Sequence, residues 1–174
     1  SAGSWQATVL LNTPVPPERV FAELPREAQE KIVERGLRVY SVDALAVARE
    51  AGLDRRVGTV LQACFFALCG VLPRDEALAK VKEAATRSYG KRGPEVVRRN
   101  HEAIDKAVSF LRAVPVPAEA TTTRRLRAPV PPDAPEFVRR VTGMLLAGHG
   151  DLLPVSAFPA DGTWPTATAR YEKR

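Results

Sequence analysis

A chain of 174 residues that is 45% hydrophobic and 26% charged has the makeup of a globular protein, with enough length for one domain or one domain plus an extended arm; wholesale disorder is excluded. Two cysteines and two histidines are too few for a cysteine-ligated cluster or a zinc knuckle. The formal net charge of +6 suits a solvated basic face or an anionic partner, but no nucleic-acid motif is readable and nucleic acid is set aside.

Trp5 to Leu11 is a short apolar run closed by Asn12-Thr13-Pro14 and reads as a buried strand. Pro16 and Pro17 introduce a helical turn over Glu18 to Glu23. A second helix opens at Pro25 and is capped near Gly36, with Ala28, Ile32 and Val33 on one side. Leu37 to Val42 alternates and is rich in β-branched and aromatic residues, the mark of a strand. Asp43 then caps a helix that runs through Ala51 and closes at Gly52. Strand, helix, strand, helix with short connections predicts an α/β layer with parallel strands.

Val57 to Leu72, VGTVLQACFFALCGVL, is the most apolar stretch. Between Val60 and Cys69 the only polar side chain is Gln62, so a helix here is expected to be enclosed on every side, with Phe65 and Leu68 in the core. It is too short to span a bilayer, which takes about 20 apolar residues, and no membrane association is expected. Cys64 and Cys69 lie in this helix about 140° apart, too divergent to pair or to share a metal. Pro73 opens the next helix, with Asp75 and Glu76 favoured by its dipole and Leu78, Val81 and Ala85 as its inner stripe. After the turn SYGKRGP, Pro94 opens another helix with Val97, Ile104, Val108 and Leu111 facing inward. Asn100 and His101 flank that stripe and are expected to make structural polar contacts.

Many of the 15 prolines fall between Val114 and Pro165. Residues 114–133 read as an extended Pro-rich linker. A short helix is expected from Glu136 to Leu146 with Phe137, Val141 and Leu145 on one side. The remaining residues should form an irregular arm held by Leu153, Phe158, Trp164 and Tyr171. Between Lys91 and Arg127 nine Lys or Arg stand against four acids, and a solvated basic face is the favoured reading. The opening SAGSWQATVL lacks a charged start and a long apolar core, so a reducing cytoplasm is the expected compartment.

Three separated stretches then point one way: LRVYSVDALAVAREAG with the apolar helix after it, SYGKRGPEVVRRN, and LPVSAFPADGTWPTATARYEKR. With the opening TVLLNTPVPPERVFAELPREAQEKI, they resemble the pyruvate:ferredoxin (flavodoxin) oxidoreductase family over almost the whole chain. The resemblance runs from within the γ-type acceptor domain into the Glu-Lys-Arg linker domain. The final Tyr171-Glu172-Lys173-Arg174 is its most specific element, because such a run has no generic structural reason to occur.

The resemblance implies a partial Rossmann-like γ-type α/β domain over 1–113, the linker over 114–133, and the start of the Glu-Lys-Arg domain over 134–174. It also implies an oxidoreductase that converts a 2-oxo acid and coenzyme A to acyl-CoA with thiamine diphosphate, Mg and [4Fe-4S] clusters, in which this chain is a non-catalytic fragment binding none of these itself. The remaining domains of the same enzyme are its implied partners, with ferredoxin or flavodoxin as carrier. No catalytic and no metal-ligating residue is assigned. Asn12, Arg56, Thr59 and Gln62 are the candidate coenzyme A contacts, since strand ends and helix N-termini are where phosphate and amide groups dock. Arg55 adds charge beside them, whereas Gly58 stands where the family pattern has Asn. The alternative reading is an independent basic α/β module for an acidic protein or a nucleotide-like ligand.

Overall fold

The computed structural model describes residues 7–171 as two compact units that divide between Arg125 and Leu126. Trp5 of the expected first strand lies outside the described residues, as do Glu172, Lys173 and Arg174 of the terminal motif.

In the first unit, β1 (Thr8–Asn12) and β2 (Arg38–Val42) pair in parallel, from Thr8 opposite Arg38 to Asn12 opposite Val42. Their connection is made by α1 (Pro17–Glu23) and α2 (Arg26–Glu34). The helices α3 (Ala44–Glu50), α4 (Gly58–Cys69), α5 (Arg74–Tyr89) and α6 (Pro94–Phe110) follow. A two-residue strand, β3 (Arg112–Ala113), then returns antiparallel to β2, giving a mixed sheet in the order β1-β2-β3. This is the partial Rossmann-like α/β arrangement expected from the sequence, with one antiparallel edge added.

Strand residues alternate between two faces, and each face has its own core. Val9, Leu11 and Val39 join Val20, Phe21, Ile32 and Val114 beneath α1 and α2. On the opposite face, Leu10 and Val42 pack with Val47, Val60, Cys64, Val81 and Ile104 from α3 to α6. In α6 the fully buried positions are Asn100, Ala103, Ile104 and Ala107; Asn100 therefore sits inside the apolar stripe. Val97 and Val108 are only half-buried.

The enclosure expected for the apolar helix is corrected. Only Thr59, Val60, Ala63 and Cys64 of α4 are buried, while Phe65 is 56% exposed and Val71, beyond the helix end, is 77% exposed. The composition shows that burial of every side is favourable, but α3, α5, α6 and β1 supply neighbours on one side only. The helix ends as expected at Gly70, whose φ of 66° is strained for a residue with a Cβ. Among the described residues no helix is long and apolar enough to cross a membrane.

Residues 114–125 carry no helix or strand, bend at Ala118 and Glu119, and are pinned. The Val114 amide donates to the Val39 carbonyl at 2.8 Å, lengthening the pairing, and the Arg26 amide donates to the Arg124 carbonyl at 2.8 Å. Between these points the Thr121 and Thr122 amides donate to Oε1 of Gln29, at 2.7 and 3.1 Å. Gln29 is wholly buried, and its Nε2 donates to the Phe21 carbonyl at 2.6 Å and more weakly to Leu24 at 3.3 Å. One side chain thus ties the Pro-rich strap to both helices of the β1–β2 connection.

In the second unit the expected helix is present, but Val138–Thr142 is a π-helical turn leading into α7 (Gly143–Leu146). A π turn takes more residues per revolution than an α turn. The buried residues are consequently Val138, Val141 and Thr142, and Leu145, expected inside, is 43% exposed. The arm folds back onto this helix: Trp164 packs edge-on against Phe137 with ring centroids 5.0 Å apart, and its Nε1 donates to Thr168 Oγ1 at 3.1 Å.

Candidate functional site

Parallel pairing brings the carboxyl ends of β1 and β2 to one edge, the edge where open α/β sheets receive ligands. Asn12 ends β1 there and Asp43 follows β2. Both cap α3: Asn12 Oδ1 accepts from the Ala44 amide at 3.1 Å, and Asp43 Oδ1 accepts from the Ala46 amide at 2.9 Å. The Thr13 amide donates to the Val42 carbonyl at 3.0 Å, closing the edge. Beside it opens a cavity of about 210 Å³ lined by Leu11, Asn12, Thr13, Val15, Val20 and Glu23, among others. Glu23 is paired with Arg19 at 3.0 Å, which compensates its charge.

The start of α4 lies after a tight loop in which Gly52 and Asp54 both have positive φ, 70° and 54°. Its N-cap, Val57, offers no side-chain hydrogen bond, so the first amides of α4 find no cap among the described residues and have the positive end of the helix dipole behind them. Arg55 and Arg56 are exposed immediately before it, and neither forms an ion pair among the described residues. Thr59 points the other way: its Oγ1 donates to Asn100 Oδ1 at 2.8 Å, and Asn100 Nδ2 donates to the Val96 carbonyl at 2.8 Å. Gln62 is exposed and lines a separate groove of about 150 Å³ with Phe66, Leu72, Ala77, Lys80 and Val81.

The four candidate contacts therefore occupy three different settings. Asn12 lines the strand-end cavity, Arg56 stands free before α4, Thr59 is bonded to α6, and Gln62 faces the α4–α5 groove. Thr59 and Asn100 form a buried hydrogen-bonded pair, which a low-dielectric interior strengthens and which holds α4 against α6. Gln29 was missed by the sequence reading; its one signal was a polar residue three positions before Ile32, on the apolar side of α2.

The thiols do not fit a cluster or a metal. Cys64 Sγ is buried and donates to the Ala107 carbonyl at 3.6 Å, and Cys69 Sγ to Phe66 at 3.5 Å. Burial pushes the Cys64 thiol up to about 11, the opposite of the thiolate a metal requires. No group of three or more His, Cys, Asp or Glu that could hold a metal ion occurs among the described residues. Glu95, at the start of α6, is held down at about 2 by hydrogen bonds from Arg98 and then Arg99, an exposed ion-pair cluster far in character from a catalytic acid.

Comparison with known proteins agrees with the architecture. Residues 6–110 match the family profile described as pyruvate ferredoxin/flavodoxin oxidoreductase, and residues 123–174 match the EKR domain, described as a domain of unknown function. The pyruvate-flavodoxin oxidoreductase of Rhodospirillum rubrum is 47% identical over 168 residues, covering 97% of this chain and 14% of the relative. That of a Nostoc species is 41% identical over 181 residues, covering 100% of this chain and 15% of the relative. The pyruvate:ferredoxin oxidoreductase of Moorella thermoacetica is 34% identical over 165 residues, covering 95% of this chain and 14% of the relative. The chain thus spans about one seventh of the length of these relatives. With a family profile matching more than half of its residues, and its parallel β1–β2 pair and α3–α6 layer lying within the matched span, the chain belongs to the pyruvate ferredoxin/flavodoxin oxidoreductase family.

Proposed function

We propose that this chain is a non-catalytic part of a pyruvate:ferredoxin or pyruvate:flavodoxin oxidoreductase. Such an enzyme cleaves the bond between the carboxylate and the 2-carbonyl carbon of a 2-oxo acid, releases carbon dioxide, and joins the acyl group to the coenzyme A sulfur. Iron–sulfur clusters held elsewhere in such an enzyme would supply the path by which the two electrons released reach the carrier protein. The observation that carries this reading is identity of 47% sustained over 97% of the chain. Thiamine diphosphate, Mg and the clusters are assigned to other parts of a longer polypeptide; the support is that no group of three or more metal-ligating side chains occurs among the described residues.

The work assigned to this chain is packing between domains and the placing of coenzyme A. Coenzyme A is polyanionic, and the α4 start offers amides that find no cap among the described residues, with Arg55 and Arg56 beside them. Asn12 contributes its Nδ2 amide, which makes no hydrogen bond among the described residues while Oδ1 caps α3. Arg56→Ala in the full-length enzyme removes one charge-assisted hydrogen bond, worth about 1.5–3 kcal/mol. The Michaelis constant for coenzyme A should rise about tenfold or more, at about 1.4 kcal/mol per decade. That for pyruvate should stay unchanged. An unchanged coenzyme A constant removes Arg56 from the site and leaves the α4 start as an ordinary helix terminus.

A further inference from the structure

Apart from the exposed amide of Gln62, the outer face of α4 and of the turn after it is apolar, and it carries no charge. From Val57 to Leu72 there is no ionisable side chain other than the two cysteines, yet Phe65 is 56%, Val71 77% and Leu72 38% exposed. The neighbouring helices show what a solvated face of this unit looks like: α5 presents Lys80 and Glu83, and α6 presents Arg98 with Glu95 and Glu102, all in exposed ion pairs. A surface helix normally carries such charges opposite its apolar stripe. Helix α4 has the composition of a helix covered on all sides and neighbours on only one.

We infer that the Phe65–Leu72 face is covered by an apolar surface from another part of the same enzyme polypeptide, with the α4–α5 groove receiving a side chain from it. The inference rests on the proposed function and adds the surface through which this chain packs. Three observations select this occupant. The relatives are about seven times longer, the matched span being 14% of their length, so ample covalently linked surface exists. The face is also small. A 12-residue helix is about 18 Å long and about 10 Å wide, which presents on the order of a few hundred Å². A stable complex between separate molecules buries about 800 Å² on each partner. A tethered surface loses far less translational and rotational freedom on docking and can be held by less area. Charge-free composition also marks permanent rather than transient contacts, because only permanent interfaces resemble a core cut in half. The groove of about 150 Å³ between α4 and α5, lined by Phe66, Leu72 and Val81 together with Gln62 and Lys80, provides a recess for that contact.

Hydroxyl-radical footprinting of the full-length enzyme tests this, with Phe21 as an internal reference because it is only 2% exposed. The expected result is that Phe65 is oxidised as slowly as Phe21, that the protection does not depend on enzyme concentration, and that Phe65→Lys raises oxidation at Leu72 by lifting the cover. Oxidation of Phe65 several-fold faster than that of Phe21 overturns the inference. So does protection that disappears on dilution to the monomer, which assigns the face to a second copy. Pyruvate-dependent dye reduction by the same preparation separates the two readings. Activity with an oxidisable Phe65 refutes the packing surface alone, and protection without activity refutes the proposed function while the cover stands.

Discussion

Gln29→Ala should release the strap at residues 121–122 without unfolding the sheet. The wild-type carboxamide is wholly buried and uses both ends, accepting from two strap amides and donating to the Phe21 and Leu24 carbonyls. The two strap bonds contribute about 0.5–1.5 kcal/mol each, since their amides can rebind water once released. The bond to the Phe21 carbonyl contributes a similar amount, because that carbonyl still accepts from the Leu24 amide at 3.1 Å and is not left without a partner. Together these predict a loss of about 3 kcal/mol. Neighbouring bonds survive: the Arg26 amide still donates to Arg124 at 2.8 Å, so the effect should be local. Urea denaturation followed by circular dichroism gives the stability loss, and amide hydrogen exchange resolves the Thr121 and Thr122 positions. Unchanged exchange at both amides with a stability change below about 0.5 kcal/mol, the range of ordinary surface substitutions, would refute the reasoning.

Ile104→Ala, at a position of 0% exposure, should cost about 2–5 kcal/mol by chemical denaturation. Phe65→Ala in the isolated chain should cost less than half as much, and equal losses would contradict the one-sided burial of α4. The Cys64 thiol is raised by burial from 9.0 to about 11, so the folded state favours the neutral form. Its contribution to stability is full below pH 9.0 and is lost as pH rises toward about 11, because the unfolded chain ionises first. Cys64→Ala should remove that part of the alkaline slope, measured as denaturation midpoint against pH, and an unaltered slope assigns it to other groups.

Local signals were easy to read where one residue decides a local geometry. Asp43 as an N-cap, Gly52 and Gly70 as left-handed helix ends, and Pro94 as a first helical residue needed only backbone sterics and unpaired amides. The parallel pairing of β1 with β2 followed from their short helical connection. The two-residue β3 was not legible, because Arg112 and Ala113 have no strand period and pair only because α6 delivers them beside β2. Helix α4 shows the limit of composition: its sequence states that burial is favoured on all sides, whereas among the described residues its neighbours lie on one side only. The π turn at Val138–Thr142 changed which residues face inward, and no residue there announces it. At the candidate site, Arg56 and Asn12 could be singled out by their places beside a helix start and at a strand end. The direction of Thr59 could not, because it depends on Asn100, 41 residues away.

The most direct test of the account compares the full-length enzyme with the 174-residue chain for viologen reduction that depends on both pyruvate and coenzyme A. Each is assayed with thiamine diphosphate and Mg after anaerobic iron–sulfur reconstitution. The account predicts reduction by the full-length enzyme and none by the chain alone. Dye reduction by the chain alone, or a full-length enzyme that shows no dependence on pyruvate, would contradict it.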